Sequence, residues 1–421
     1  MAKKTLSSDL LVVGAGISGI STALEAAETG YTVTLIEKNP YVGGRVVQLN
    51  QYFPKLCPPT CGIEINLQRI KKNSRIKLLT LSEVESIEGD DGQYKVAIKQ
   101  KPRYVTANCT SCGDCVEACP VERDNAFNFG MDKTKAIYLP YNNAYPMQYV
   151  VDEKACKFGD CRACVDACPY DAIDLDEEPT EYALETKSIV FATGWDPYDA
   201  KNLVHLGFGE YPGVITNVMM ERLSAPSGPT QGRIVHPATG KEIDSIAFVQ
   251  CAGSRDENHL EYCSSVCCLA SLKQARYVRE QYPEMDIHIH YIDIRSPGIF
   301  EEFYQNSQED DKLHLHRGKI AKVFKQHGSD KLIVEAENTL SGELNQSEVD
   351  MVVLATGMEP AAKNIAQVDK AMLDRFGFFR AEKANGMMGS GVASRPKDVA
   401  DAVRESTGAA VKAIHTIKGE K

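Results

Sequence analysis

The sequence predicts an α/β fold of two βαβ-based domains, the first carrying a cysteine-rich α+β insertion. Three observations carry that expectation. An apolar strand at Leu10–Val13 runs through G-x-G-x-x-G into an amphipathic helix. A second strand, loop, helix and strand occupy Asp244–Ile294. Eight of the fourteen cysteines crowd between Cys109 and Cys168, and the others fall as four between Cys251 and Cys268 plus the pair Cys57 and Cys61.

A chain of 421 residues suffices for two or three domains with ample apolar core. Hydrophobic content of 43% and charged content of 25% are ordinary for a globular protein. A formal charge of −11 without a long Lys/Arg run argues against nucleic acid and anionic lipid as primary partners. The most apolar N-terminal stretch, "LLVVGAGISGI", is too short and glycine-broken to span a bilayer, and it lacks the pattern of a cleaved signal. A soluble, cytoplasmic protein with no membrane span of its own is expected. Clustered thiols in such a chain favour metal or redox chemistry over structural disulfides.

In the first unit, Gly14, Gly16 and Gly19 follow the buried strand, and Ile17, Ile20, Ala23, Leu24 and Ala27 form one helical face that stops at Gly30. The next strand, "YTVTLIE", ends in Glu37, eighteen residues past Gly19. Glycines at these positions permit a tight turn and close approach of a pyrophosphate, whose charge meets the helix N-terminus. Glu37 is placed to accept hydrogen bonds from ribose hydroxyls. Together these features point to dinucleotide binding rather than a glycine-rich packing turn. "KNPYVGGRV" follows, with Gly43 and Gly44 before Arg45. This resembles flavoproteins with two dinucleotide-binding domains, where such a glycine pair touches FAD. "IVFATGWDP" from Ile189 and "VVLATGMEP" from Val352 share a spelling, which predicts an internal structural echo that returns the chain to the flavin domain.

Between those halves, "CTSCGDCVEACP" contains Cys109, Cys112, Cys115, Cys119 and Pro120, and "CKFGDCRACVDACP" contains Cys156, Cys161, Cys164, Cys168 and Pro169. Two near-copies of C-x₂-C-x₂-C-x₃-C-P are the bacterial ferredoxin signature, in which the fourth thiolate crosses to the other cluster. On that pattern Cys109, Cys112, Cys115 and Cys168 hold one [4Fe–4S] cluster. Cys156, Cys161, Cys164 and Cys119 hold the second. Four residues instead of two separate Cys156 from Cys161, which changes the loop without removing a ligand. Zinc also takes four cysteines, but its sites rarely come as interleaved quartets each closed by Pro. A flavin and one-electron clusters in one chain make a two-to-one-electron converter.

The second unit pairs the strand "SIAFVQ" with "DIHIHYIDI" through a helix bearing Leu269, Leu272, Ala275 and Val278. Its loop holds Gly253 but no glycine fingerprint, so NAD(P)H has no evident phosphate site. Cys251, Cys263, Cys267 and Cys268 occupy the place where that helix begins, where its partial positive charge favours thiolates. They are read as ligands of a third, non-ferredoxin cluster.

"CAGSRDE…YCSSVCCLASLKQA…IHYIDIRSPG…EEFY", "CTSCGDC" and "RPKDVADAV" resemble the A subunits of heterodisulfide reductases over nearly the whole chain. The resemblance implies thioredoxin-reductase-like Rossmann domains, FAD, and a cluster on the four cysteines of the second unit. It implies a flavin site of Gly14, Ala15, Gly16, Ser18, Gly19, Glu37, Lys38, Gly43, Gly44, Arg45, Ala192, Thr193, Gly194, Thr356, Gly357, Pro396, Lys397 and Asp398. The chain starts at the Rossmann strand and ends soon after "RPKDVADAVRESTGAAV", without the family's extra terminal cluster domains. That short form resembles the A subunits of the quinone-interacting membrane-bound oxidoreductases of sulfate reducers. The resemblance then implies a second flavoprotein of the same type, a membrane subunit with haem, and adenylylsulfate reductase as electron acceptor, at the inner face of the cytoplasmic membrane.

The expected division is a flavin domain in three parts (1–100, 181–235 and 346–421), the ferredoxin insertion at 101–180, and the second Rossmann-like domain at 236–345. Cys57 and Cys61, in "LCPPTCG", stand where dithiol flavoproteins carry a redox pair, and a redox disulfide, cluster-linked thiols and structural cysteines all stay open. His288 and His290 alternate along a strand and are expected to face solvent, and Trp195 to pack near the nucleotide. The leading expectation is an electron-transfer subunit. Its alternatives are a self-sufficient flavin disulfide reductase or NAD(P)H:ferredoxin oxidoreductase, or a redox sensor.

Overall fold

Runs such as "LLVV" and "SIVF" leave no side chain for solvent, so they belong in a parallel sheet covered on both faces. The computed structural model describes residues 3–419 apart from 54–55, 91, 366 and 381–385. In it Leu10–Val13, Val33–Ile36, Ile76–Leu79, Ser188–Phe191 and Met387–Gly389 form one five-stranded parallel sheet, with Leu10–Val13 at its centre. Alternate side chains divide between the two faces. Leu10 and Val12 pack with Ile20, Ala23, Leu24 and Ala27 of the helix Ile17–Glu28, and with Ala409 and Ala413 of the helix Val399–Lys418. Leu11, Val13, Ile189 and Phe191 meet Val96, Ile98, Tyr182 and Leu184 of a four-stranded sheet that covers the other face.

The insertion packs around Tyr104, Val105, Ala136, Ile137, Val151, Ile173 and Leu175, together with Cys115, Cys119 and Cys164. Its helices are single turns, Asp114–Ala118 and Ala163–Asp166. So small a core leaves the ligand loops dependent on what the thiols bind.

The second domain is a seven-stranded sheet. Val214–Thr216, Met351–Thr356, Ser245–Ala252, Asp286–Tyr291 and Leu313–Lys325 run parallel, and Leu332–Asn338 and Leu344–Val349 extend it antiparallel. The expected βαβ unit is present, with the helix at Cys267–Gln281. The expected boundaries at 236 and 345 are not where the sheets divide. Val214–Thr216 and Met351–Thr356 both hydrogen-bond in the second sheet, not the flavin sheet. Five consecutive buried apolar residues closed by a buried threonine satisfy either parallel sheet equally, so their pattern could not choose. The echo itself is real and has a different consequence. Trp195–Pro197 and Met358–Pro360 pair antiparallel, so the two like-spelled segments are the outward and return crossings between domains.

Of the two histidines expected to face solvent, His288 is half-buried and His290 is buried. His290 is 1% exposed, and neither ring nitrogen has a partner. Parallel pairing sets His288 beside His314 and His290 beside His316. The four rings neighbour one another in the order His314, His288, His316, His290, with centroids 5.0, 5.2 and 4.8 Å apart. His288 Nδ1 and His316 Nε2 share a hydrogen bond of 2.9 Å, and His314 Nε2 lies 2.8 Å from Asp286 Oδ1. Burial, and then the neighbouring imidazoles, depress His288 to about 4 and His290 to about 3, and burial lowers His316. These rings are neutral when folded, whereas the unfolded chain takes up protons near pH 6.5. Stability is therefore complete above about pH 6.5 and is lost as pH falls towards the folded values. Replacing His290 by Leu is expected to flatten the fall in melting temperature between pH 7.5 and 5. One fewer titrating ring reduces the slope by up to about 1.4 kcal/mol per pH unit. An unchanged slope in calorimetric scans across that range would contradict this.

Candidate functional site

Gly14 ends the first strand with φ 102, and a Cβ on Gly19 would lie 1.8 Å from the Gly14 carbonyl oxygen. The first glycine makes the turn, and the third lets the helix close against it. Gly44 approaches Gly16 as closely: a Cβ on Gly44 would sit 2.9 Å from the Gly16 Cα. Above these turns opens a cavity of about 930 Å³. It is lined by Gly14, Gly16, Ser18, Glu37, Lys38, Gly44, Arg45, Ala192, Thr193, Gly194, Thr356, Pro396, Lys397 and Asp398. Ala15, Gly19 and Gly43 shape the turns without lining it; the Ala15 amide donates to Glu37 Oε2 at 2.8 Å and its carbonyl accepts from Gly43 N at 2.7 Å. Gly357 lies between Thr356 and Met358, which line the cavity, and a Cβ on it would lie 2.3 Å from Ser254 Oγ of the second domain.

Glu37 is buried, and burial pushes its carboxyl upward while N–H donors from Asn39 and Ala15 pull against it. Lys397 pairs with Glu405 and donates to Ser394 Oγ at 3.1 Å; burial, then Arg395, lower its ammonium to about 8. Arg45 ion-pairs with Asp196 at 2.7 Å and lies 5.7 Å from the Trp195 ring centre, and all three residues line the cavity. Thr193 Oγ1 is buried without a partner at this wall, an orphan that a polar ligand would satisfy. Glycine turns, a helix N-terminus and that orphan together fit a dinucleotide.

The same cavity reaches into the second domain, where Ser265, Val266, Leu269, Ala270, Lys273 and Gln274 complete its wall. Lys273 Nζ and Glu221 Oε1 are 2.9 Å apart, each side chain 4% exposed. Glu221 also accepts from Gln274 Nε2 at 2.7 Å and from the Asn50 amide at 3.0 Å, and Lys273 donates to the Gln51 carbonyl at 2.5 Å. Sequence reading missed this pair. Its only signal was the spacing from Leu269 to Lys273 along one helical face.

All three thiol quartets are brought together. Cys109, Cys112, Cys115 and Cys168 line one small hollow with Val105, Tyr149 and Ile173. Cys156 feels Cys164, Cys119 and Cys161, so the fourth cysteine of each motif has crossed over. Cys267 feels Cys251, Cys268 and Cys263. Burial, reinforced by neighbouring sulfurs, pushes the Cys115 thiol up to about 12 and Cys251 to about 11. Four crowded thiolates need a cationic group among them. Backbone amides already donate to Cys168 Sγ and Cys263 Sγ, each at 3.4 Å, as they would to iron-bound sulfur. Cys57 and Cys61 join none of these quartets. Cys61 is exposed in the first turn of the helix Pro59–Lys72, and Cys57 bridges to Tyr52, whose ring lines the cavity.

Residues 9–46 match the FAD dependent oxidoreductase family. Over its whole length the chain is 36% identical to the A subunit of the H(2):CoB-CoM heterodisulfide,ferredoxin reductase of Methanothermobacter thermautotrophicus, and it covers 65% of that protein. It is 38% identical to the iron-sulfur A subunit of the CoB--CoM heterodisulfide reductase of Methanocaldococcus jannaschii, across 95% of this chain and 63% of that one. It thus spans a little less than two thirds of these relatives. Among solved structures, thioredoxin reductases of Lactococcus lactis and T. acidophilum superpose with TM-scores of 0.52 and 0.53 at 12% and 14% identity. The first match covers 98% of this chain and 99% of that one, the second 98% of each, and they share its fold.

Replacing Lys273 by Met strands the Glu221 carboxylate in a dry wall. We expect destabilisation of about 3–5 kcal/mol, with much of it recovered by Lys273→Met combined with Glu221→Leu. Thermal unfolding of the single and double variants tests the pair, and additive losses would contradict it.

Proposed function

From the premise that the chain is a flavoprotein of the heterodisulfide reductase A type, we propose that it is an FAD and iron–sulfur electron-transfer subunit of a multi-subunit oxidoreductase. The observation that carries the reading is one cavity walled both by the FAD turns and by the helix that begins at Cys267 and Cys268. When bound, FAD would exchange electrons in pairs or singly, and iron–sulfur clusters would take them one at a time. The chain's own part is placement. Gly14, Gly16 and the helix start at Ile17 receive the pyrophosphate, and Glu37 orders the turn and faces the ribose. Lys273 and Glu221 set a buried, charged wall at the second-domain end. Three cysteine quartets hold three [4Fe–4S] clusters: Cys109, Cys112, Cys115, Cys168; Cys156, Cys161, Cys164, Cys119; and Cys251, Cys263, Cys267, Cys268.

For partners we propose a second flavoprotein of the same type and a haem-containing membrane subunit, with adenylylsulfate reductase as acceptor in sulfate respiration. The support is the resemblance to the A subunits of the quinone-interacting membrane-bound oxidoreductases of sulfate reducers. No helix among the described residues is long and apolar enough to cross a membrane, so attachment to one would run through those partners. A second reading, a flavin disulfide reductase, is favoured only by Cys57 and Cys61 beside Tyr52.

Anaerobically prepared protein is expected to carry one FAD and about twelve irons, as four per cluster. Cys267→Ser should remove about four and leave FAD and the ferredoxin-type pair in place. A count near eight, with Cys251, Cys263, Cys267 and Cys268 open to alkylation, would remove the third cluster. Hydride exchange with NADH or NADPH should be negligible, because thiols stand where a phosphate cradle would be. Rapid flavin reduction by either nucleotide in stopped flow would favour a self-sufficient enzyme.

A further inference from the structure

We propose that Arg255 sets the reduction potential of the group held by Cys251, Cys263, Cys267 and Cys268, its guanidinium donating to the Cys251 sulfur and Asp293 fixing it there. The inference rests on the third-cluster reading above. It begins with backbone geometry. Cys251 has φ 55 and Arg255 has φ 57, both in the left-handed region that non-glycine residues avoid. Between them Gly253 has φ 75, and a Cβ there would lie 2.6 Å from the Tyr198 ring. The Ser254 amide closes the turn on the Cys251 carbonyl at 3.1 Å, and Arg255 N is tied to the Tyr262 carbonyl at 3.1 Å. This costly turn brings Arg255 back to the rim of the quartet, where it lines one hollow with Cys263.

There the guanidinium ion-pairs with Asp293, lines one hollow with Cys263 and Arg295, and acts on the Cys251 thiol at close range. Arg295 reaches the same carboxylate at 3.5 Å, so two guanidiniums share the Asp293 carboxylate beside the quartet. Of the other acids of this rim, Asp256 pairs with Lys319 and Glu261 with Arg375, each at 2.9 Å, and Glu257 lines it without an ion pair among the described residues. Asp293 also receives the Cys268 thiol on its carbonyl at 3.7 Å, which joins both sides of the quartet. Reduction adds one electron to a site that already carries four thiolates, with no bond made or broken. A cation in contact with a ligand sulfur stabilises that added charge, and hydrogen bonds to sulfur raise cluster potentials.

The test is a dithionite titration of the whole chain, anaerobic and followed by electron paramagnetic resonance, on Arg255→Met, Arg255→Lys and Asp293→Asn. Arg255→Met should keep iron and FAD and leave the ferredoxin-type midpoints alone. At a fixed potential, the ratio of reduced to oxidised third cluster should fall about tenfold, a shift of about 59 mV for one electron. Arg255→Lys should lie between, since it keeps charge but not the fork. Asp293→Asn, which unmasks the guanidinium, should move the midpoint the other way. A third-cluster midpoint unmoved in Arg255→Met, with iron retained, overturns the proposal. Should Arg255→Met lose the cluster, an unmoved midpoint in Asp293→Asn overturns it equally. About eight irons in the unsubstituted protein would sink the third-cluster reading and this proposal with it, whereas about twelve with an unmoved midpoint sink this proposal alone.

Discussion

The antiparallel pairing of Trp195–Pro197 with Met358–Pro360 is the constraint on which the rest depends. The chain leaves the flavin domain through one strand and returns through the other, so two short segments fix how the domains face each other. Arg45, from the glycine turn, ties to this link through the Trp195 carbonyl and Asp196. The link therefore sets the FAD turns and the helix Cys267–Gln281 on two walls of one cavity. A hinge at this point would move both crossings together, because each is the other's hydrogen-bond partner.

What fills the interface is polar and dry. Arg222, 1% exposed, donates to Asn128 of the insertion at 2.8 Å and to the Gln48 carbonyl at 3.5 Å, and its guanidinium lies 4.7 Å from the centre of the Phe127 ring. Lys273 and Glu221 bond to Gln51 and Asn50 of the flavin domain. Buried ions of this kind add little net stability over apolar packing, but an arrangement that separates them is heavily penalised. They specify how three units meet more than they hold each together. The insertion consequently presents its quartets at a fixed place relative to the flavin turns.

The same low-polarity surroundings act on the thiols. Burial raises Cys115, Cys164, Cys251 and Cys267 above the ordinary thiol range, and each sulfur makes the next harder to ionise. Four thiolates can gather only around a group that supplies positive charge, so assembly of each quartet and binding of its group are coupled. In the second domain that arrangement takes the position of a phosphate cradle. The helix whose first turn would otherwise meet an anion begins instead with two adjacent cysteines.

Features set by spacing along the chain were legible in the sequence. The Gly14, Gly16 and Gly19 turn, both ferredoxin-type quartets with their crossing fourth cysteines, the gathering of Cys251 with Cys263, Cys267 and Cys268, and the echo of "ATGWDP" in "ATGMEP" all follow from local geometry or from near-identical spelling. Features set by which surface covers which were not. Met351–Thr356 is apolar enough for either sheet, and only strand order placed it in the second. Alternation showed that His288 and His290 share a face, but not that the face is covered. The sequence did not link Lys273 to Glu221, which two helices bring together in one buried wall. Local spacing decides which groups can act together because covalent geometry carries it. Burial and charge pairing are decided by segments distant along the chain, and only the assembled tertiary structure brings those into contact.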